Sequence, residues 1–137
     1  MHGRGPTAHW KGEDAMRFIE ETGFCVRVGR EEAFQKWLVA NEERIAAAYP
    51  PGASYIGTFV TAFTSEKNAG RYRVLEGLDS YAALDVAAAA QKDSNSAYAK
   101  VWREAMQFMD PDPRADWSQT LLKSVVDATI WDVEPQD

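Results

Sequence analysis

Apolar and polar positions along the chain alternate between two rhythms, and each rhythm comes twice. A short run of period two over residues 22–29, carrying Phe24, Val26 and Val28, reads as a strand between glycines. It leads into residues 31–49, where Phe34, Trp37, Leu38, Ile45, Ala48 and Tyr49 recur at helical spacing and Glu32, Lys36, Glu43 and Arg44 form the wet side. Glu31 and Glu32 suit the positive end of that helix, and Pro50-Pro51-Gly52 stops it. Residues 54–64, rich in Tyr, Ile, Phe, Val and Thr, predict a second strand, and residues 65–70 a hairpin connection. Residues 71–76 return as a third strand.

The second helical stretch is interrupted. Asp79 is a candidate N-cap for a helix to about residue 90, but residues 91–96 break the apolar pattern with serines and an asparagine that favour a new cap. Residues 97–109 then place Tyr98, Val101, Trp102, Ala105, Phe108 and Met109 on a helical stripe. Pro111 and Pro113 end it, and residues 121–133 close the chain as a fourth strand with Val125, Val126, Ile130, Trp131 and Val133. The order β-α-β-β-α-β is that of an α+β, ferredoxin-like fold: a four-stranded antiparallel sheet with the helices on one face. Residues 14–21 predict a short helix with Met16, Phe18 and Ile19 on its apolar side, after a glycine-rich arm. The division is therefore an arm with a short helix over 1–22 and the ferredoxin-like domain over 23–137.

Helices on one face leave the other face of the sheet bare. On the second strand, Tyr55, Phe59 and Phe63 are expected to point one way and Ile56, Val60 and Ala62 the other; on the last, Val126, Ala128 and Ile130 oppose Val125, Trp131 and Val133. Large apolar groups on both sides suggest that a second subunit covers the bare face, giving a homodimer through the sheets. Cover by the N-terminal arm and residues 110–119 is the other reading.

Composition narrows the function classes. A chain of 137 residues with 45% apolar and 26% charged positions fits one ordinary globular core. The net charge of −6, with 15 basic residues scattered among 21 acidic ones, argues against a nucleic-acid surface. Cys25 is the sole cysteine, so no intramolecular disulfide forms and a cytoplasmic compartment is the simpler expectation. No signal peptide or membrane span is read from the sequence. His2 and His9 both lie in the arm, which disfavours a core haem ligand or a histidine-based triad. No spacing suggests a metal site, no glycine-rich loop sits between strand and helix, and no cofactor is expected.

The run Tyr72-Arg73-Val74-Leu75-Glu76-Gly77-Leu78-Asp79-Ser80-Tyr81-Ala82-Ala83-Leu84 resembles the third strand and second helix of the dimeric α/β-barrel superfamily. That superfamily includes antibiotic-biosynthesis-type monooxygenases, stress-responsive barrel proteins and NIPSNAP-like proteins, and the resemblance extends over residues 23–133. It implies a barrel formed by two sheets and a small-molecule pocket between sheet and helices in each subunit. The histidine that many monooxygenase-like and haem-degrading members carry after the third strand is absent from Val86-Ala87-Ala88-Ala89-Ala90.

Within that frame Trp37, Tyr72, Arg73, Tyr98 and Trp102 are the candidate ligand-binding residues: Tyr72 and Arg73 to hold an anion, Trp37 and Trp102 to stack on an aromatic or polyketide-like ligand. Core packing is the other use of the same rings. No catalytic residue is singled out. Three functions remain open: a small-molecule-binding barrel, a cofactor-independent monooxygenase or related enzyme, and a structural or partner-binding dimer.

Overall fold

Seven elements make up the fold in the computed structural model, which describes residues 18–65, 70–112 and 117–125. They are β1 (Phe18–Phe24), α1 (Glu31–Ala48), β2 (Ala53–Val60), β3 (Tyr72–Leu78), α2 (Ala83–Lys92), α3 (Ala97–Met106) and β4 (Ser118–Lys123). The strands form one antiparallel sheet in the order β2-β3-β1-β4, the ferredoxin-like arrangement expected. None of the described helices is long and apolar enough to cross a membrane.

The helices form where their ends are supported. Glu31 and Glu32 occupy the first turn of α1, the Glu31 carboxylate accepts from the Gly29 N–H at 2.9 Å, and the chain turns extended at Tyr49 ahead of the two prolines. The expected break in the second crossover is built around Ser96. Its hydroxyl accepts from the Ala99 N–H at 3.0 Å, capping α3, and donates to the Ala90 carbonyl at 2.6 Å near the end of α2. One side chain thus closes one helix and opens the next.

Two expectations are corrected. The helix over 14–21 is not formed where the chain is described: residues 18–21 belong to β1, so the sheet starts ahead of the boundary placed between 22 and 23. Phe18, Glu20, Thr22 and Phe24 share one face and Ile19, Glu21 and Gly23 the other, a period of two that pairs with β3 and β4 at once. Of the run expected as the first strand, residues 22–24 form the end of β1, and the remainder keeps only a single bridge, Val26 to Met109, braced by the Arg27 side chain on the Met109 carbonyl at 3.0 Å. The second correction concerns β2. A bulge between Tyr55 and Gly57 shifts the alternation by one, so Tyr55 faces the helices while Phe59 lies on the open face, its ring against Gly57. The expected alternation of Val126, Ala128, Ile130, Trp131 and Val133 falls outside the described residues, as do His2 and His9.

The helix layer is off centre. Both α1 and α2 pack on β2, and α3 packs on α1 and α2. Beneath them Phe24, Phe34, Ile45, Tyr55, Tyr72, Val74, Val101 and Ala105 form the main core, with a smaller cluster of Phe18, Leu78 and Ala83 at the far end of β3. Among the described residues β4 is an edge strand paired with β1 alone, and the helix-facing side of the β1–β4 half is left partly open.

Candidate functional site

Where the helices stop short, a cleft of about 200 Å³ opens between the sheet and α3. Its floor comes from Glu20 and Thr22 of β1, Val74 and Glu76 of β3 and Gln119 of β4; its wall is Tyr98, Trp102 and Met106 of α3. Tyr98, Trp102 and Met106 fall at spacings of four along α3, so one stripe of a short helix supplies the whole wall. Phe24, Gln91, Met109 and Trp117 complete the rim. The floor side chains converge because Glu20 and Glu76 are partners across the β1–β3 ladder, as are Thr22 and Val74, and partners in register share a face.

Two carboxyls therefore stand side by side on the floor of the cleft. Glu76 is only 7% exposed, and the Tyr98 hydroxyl reaches its Oε2 at 3.4 Å, a long contact for a hydrogen bond. Glu20 accepts from the Gln119 amide at 3.3 Å. The Tyr49 hydroxyl, sealed from solvent, lies near Glu76 without settling into hydrogen-bond geometry with any described group. Burial pushes the Glu76 carboxyl up to about 7; the Tyr49 and Tyr98 hydroxyls oppose the shift and neighbouring Glu20 reinforces it. At neutral pH Glu76 is thus poised between its charged and protonated forms, with the second carboxyl as its neighbour. Tyr98 is raised above the ordinary phenol range by burial and then by the charges of Glu76 and Glu20. Tyr49 is raised by burial and then by the charge of Glu76.

The structure separates the five candidates named from the sequence. Tyr98 and Trp102 line the cleft. Tyr72 shares their face of the sheet but is packed into the main core, stacked on Phe24 with ring centroids 5.9 Å apart and edge-on to Phe34 at 5.3 Å. Its hydroxyl accepts from the Gln35 amide at 3.2 Å. Trp37 lies on α1 against Phe34 and Phe108, with its indole N–H donating to Glu104 at 3.3 Å. Arg73 projects from the opposite face of the sheet, where it pairs with Glu21 and donates to the Thr61 hydroxyl at 2.7 Å. Tyr72 and Arg73 are consecutive in a strand and point to opposite sides, so they do not converge on one anion.

Glu20, Glu76, Gln119 and Trp117 were not singled out from the sequence. A signal for Glu76 was present: it falls on the same alternating register as Tyr72, Val74 and Leu78, where a carboxylate interrupts a buried set. Glu20 has the same place between Phe18 and Phe24. Their pairing depends on strand register, which no local pattern supplies. Among the described residues no group of three or more histidines, cysteines and carboxylates is placed to hold a metal ion.

No family model matches the chain, and no curated protein matches it either. Solved structures do. A NIPSNAP family protein from Agrobacterium tumefaciens is 14% identical, covering 85% of this chain and 93% of its own, with a TM-score of 0.57. An uncharacterised NIPSNAP-like domain protein from Burkholderia xenovorans is 13% identical over 86% of this chain and 93% of its own, with a TM-score of 0.56. At these identities the likeness is one of architecture. The chain carries the ferredoxin-like α+β fold of these NIPSNAP proteins.

Proposed function

We propose that this protein binds a small molecule built on one or two aromatic rings, in the cleft between α3 and the β1–β3–β4 floor. The observation that carries the reading is an open, aromatic-walled hollow on the sheet face that is elsewhere filled by side chains. A cavity of about 150 Å³ holds a benzene ring, so the size suits a compact ligand rather than an extended polyketide. Trp102 and Tyr98 offer ring faces, Met106 and Met109 offer adaptable thioethers, and Thr22, Gln91 and Gln119 offer neutral polar contacts. A cofactor-independent oxygenation, the alternative enzymatic reading, proceeds through a substrate anion; the two floor carboxyls disfavour one.

The open face supports a homodimer as part of the same proposal. Register places Ile19, Leu75, Phe59 and Leu122 on it, and Phe59 and Leu122 are half exposed. A second copy laid sheet to sheet would bury these groups, and the single cysteine fits a cytoplasmic home for it. The partner-binding reading shares this face but leaves the cleft unexplained.

Trp102 and Trp117 make the cleft self-reporting. Benzyl alcohol titrated into the full chain should quench tryptophan fluorescence saturably, and Met106→Trp, which adds bulk to the wall at a half-exposed position, should weaken that binding at least tenfold. Absence of saturable binding by the unaltered protein of benzyl alcohol and of its charged analogues benzylamine and benzoate alike would remove the small-molecule reading.

A further inference from the structure

We infer that the ligand is cationic: a ring bearing a protonated amine or a quaternary ammonium, its head against Glu20 and Glu76 and its ring against Trp102 and Tyr98. This rests on the cleft being a ligand site and adds the chemical class. Two carboxyls are held side by side by the β1–β3 register, and Glu76 is more than nine-tenths buried while facing the cleft. Buried carboxylates are ordinarily matched by a cation in the same chain. None is supplied here: the described lining contains no lysine, arginine or histidine, and Arg73 is committed to Glu21 on the far side of the sheet. Among the described residues, what the pair is offered is neutral: the Tyr98 hydroxyl at 3.4 Å, the Gln119 amide at 3.3 Å and the Tyr49 hydroxyl near Glu76.

The walls point the same way. Tyr98, Trp102, Trp117 and Phe24 line the same cleft, and the faces of such rings attract organic cations, tryptophan most strongly. A hard metal ion would need six or more oxygen ligands, and much of this wall is ring and thioether. An anionic ligand would meet the two carboxyls at close range. The formal net charge of −6 draws cations toward the molecule as a whole.

Cation binding should expel a proton. The titratable groups facing Glu76 are Glu20 from β1, Tyr98 from α3, Tyr55 from β2 and Tyr49 just beyond α1, all of them acids. A cation seated between the carboxyls favours the doubly ionised pair, so at pH 7 binding releases part of a proton to the buffer.

The test is calorimetry on the full unaltered chain at pH 7 with three probes of one shape: benzylamine, benzyl alcohol and benzoate. Benzylamine should bind at least tenfold tighter than benzyl alcohol, with benzoate weakest. Its heat should differ between phosphate and Tris buffers in the sense of proton release. In a Glu20→Gln, Glu76→Gln double variant the amine preference should shrink to within about threefold while benzyl alcohol still binds. Benzyl alcohol binding as tightly as benzylamine to the unaltered protein overturns the cationic assignment and leaves the cleft reading standing; failure of all three probes to bind removes both.

Discussion

The two halves of the helix-facing surface belong to one sheet and end up opposite in character. Over β2 and its half of β3, Phe34, Ile45, Tyr55, Tyr72 and Val101 pack into one buried cluster, with Phe34 edge-on to Tyr72. Over β1 and β4, the helices fall short, and the same register that delivers Tyr72 and Val74 to the core delivers Glu76 to an open floor beside Glu20. Coverage makes the difference. Under α1 the face is filled by apolar volume, whereas towards β4 it carries the two carboxyls at the edge of the helix cover, Glu76 itself buried enough that its charge is disfavoured.

The filled half should break most severely. Phe34, 2% exposed and edge-on to both Phe24 and Tyr72, should cost about 4 kcal/mol of stability when truncated to alanine, read from urea unfolding. Loss below about 1 kcal/mol would mean that this side is not tightly packed.

The cleft half should show itself through pH. Glu76 has a folded pKa raised to about 7 from the ordinary glutamate value of 4.5, so between those values the folded state holds more protons than the unfolded chain. Stability should therefore be highest below the unfolded pKa with respect to this group, fall as pH rises through the window from 4.5 to 7, and level off above it. The full effect is roughly 3 kcal/mol. Glu76→Gln keeps the shape and removes the charge, so it should flatten that part of the profile and raise the melting temperature at pH 8. An unchanged slope in the variant would place the pH dependence elsewhere.

The smallest effect should come from the cleft wall. Met106 is 51% exposed at the end of α3, and Met106→Ala should change stability by no more than about 0.5 kcal/mol. The same change made at Val101, fully buried one turn earlier on the opposite stripe, should cost about 2 kcal/mol. Equal costs at the two positions would erase the distinction between the halves.

How far these halves were legible follows from the range of each signal. Helix α1 announced itself locally, with Glu31 and Glu32 before the apolar stripe and Pro50 after it, and the interruption at Ser96 was readable because a cap is a property of neighbours in sequence. β1 was harder. Met16, Phe18 and Ile19 mimic a helical spacing, and the strand is fixed by simultaneous pairing with β3 and β4, which lie far along the chain. The bulge after Tyr55 likewise has no local marker beyond Gly57, yet it decides that Phe59 faces outward. For the site, Tyr98 and Trp102 were found because a helical stripe is periodic. Glu20 and Glu76 became neighbours only through a register joining residues 56 positions apart.

The contrast between the halves is tested most directly by mapping where a ring binds, using backbone amide and indole shifts of the full chain in two-dimensional NMR as benzyl alcohol is added. Saturating changes confined to Glu20, Thr22, Glu76, Tyr98, Trp102, Trp117 and Gln119, with α1 and β2 unmoved, are the predicted result. Changes centred instead on the open face, at Ile19, Phe59, Leu75 and Leu122, would contradict the account by showing that the apolar surface, and not the acid-floored cleft, is where this protein meets small molecules.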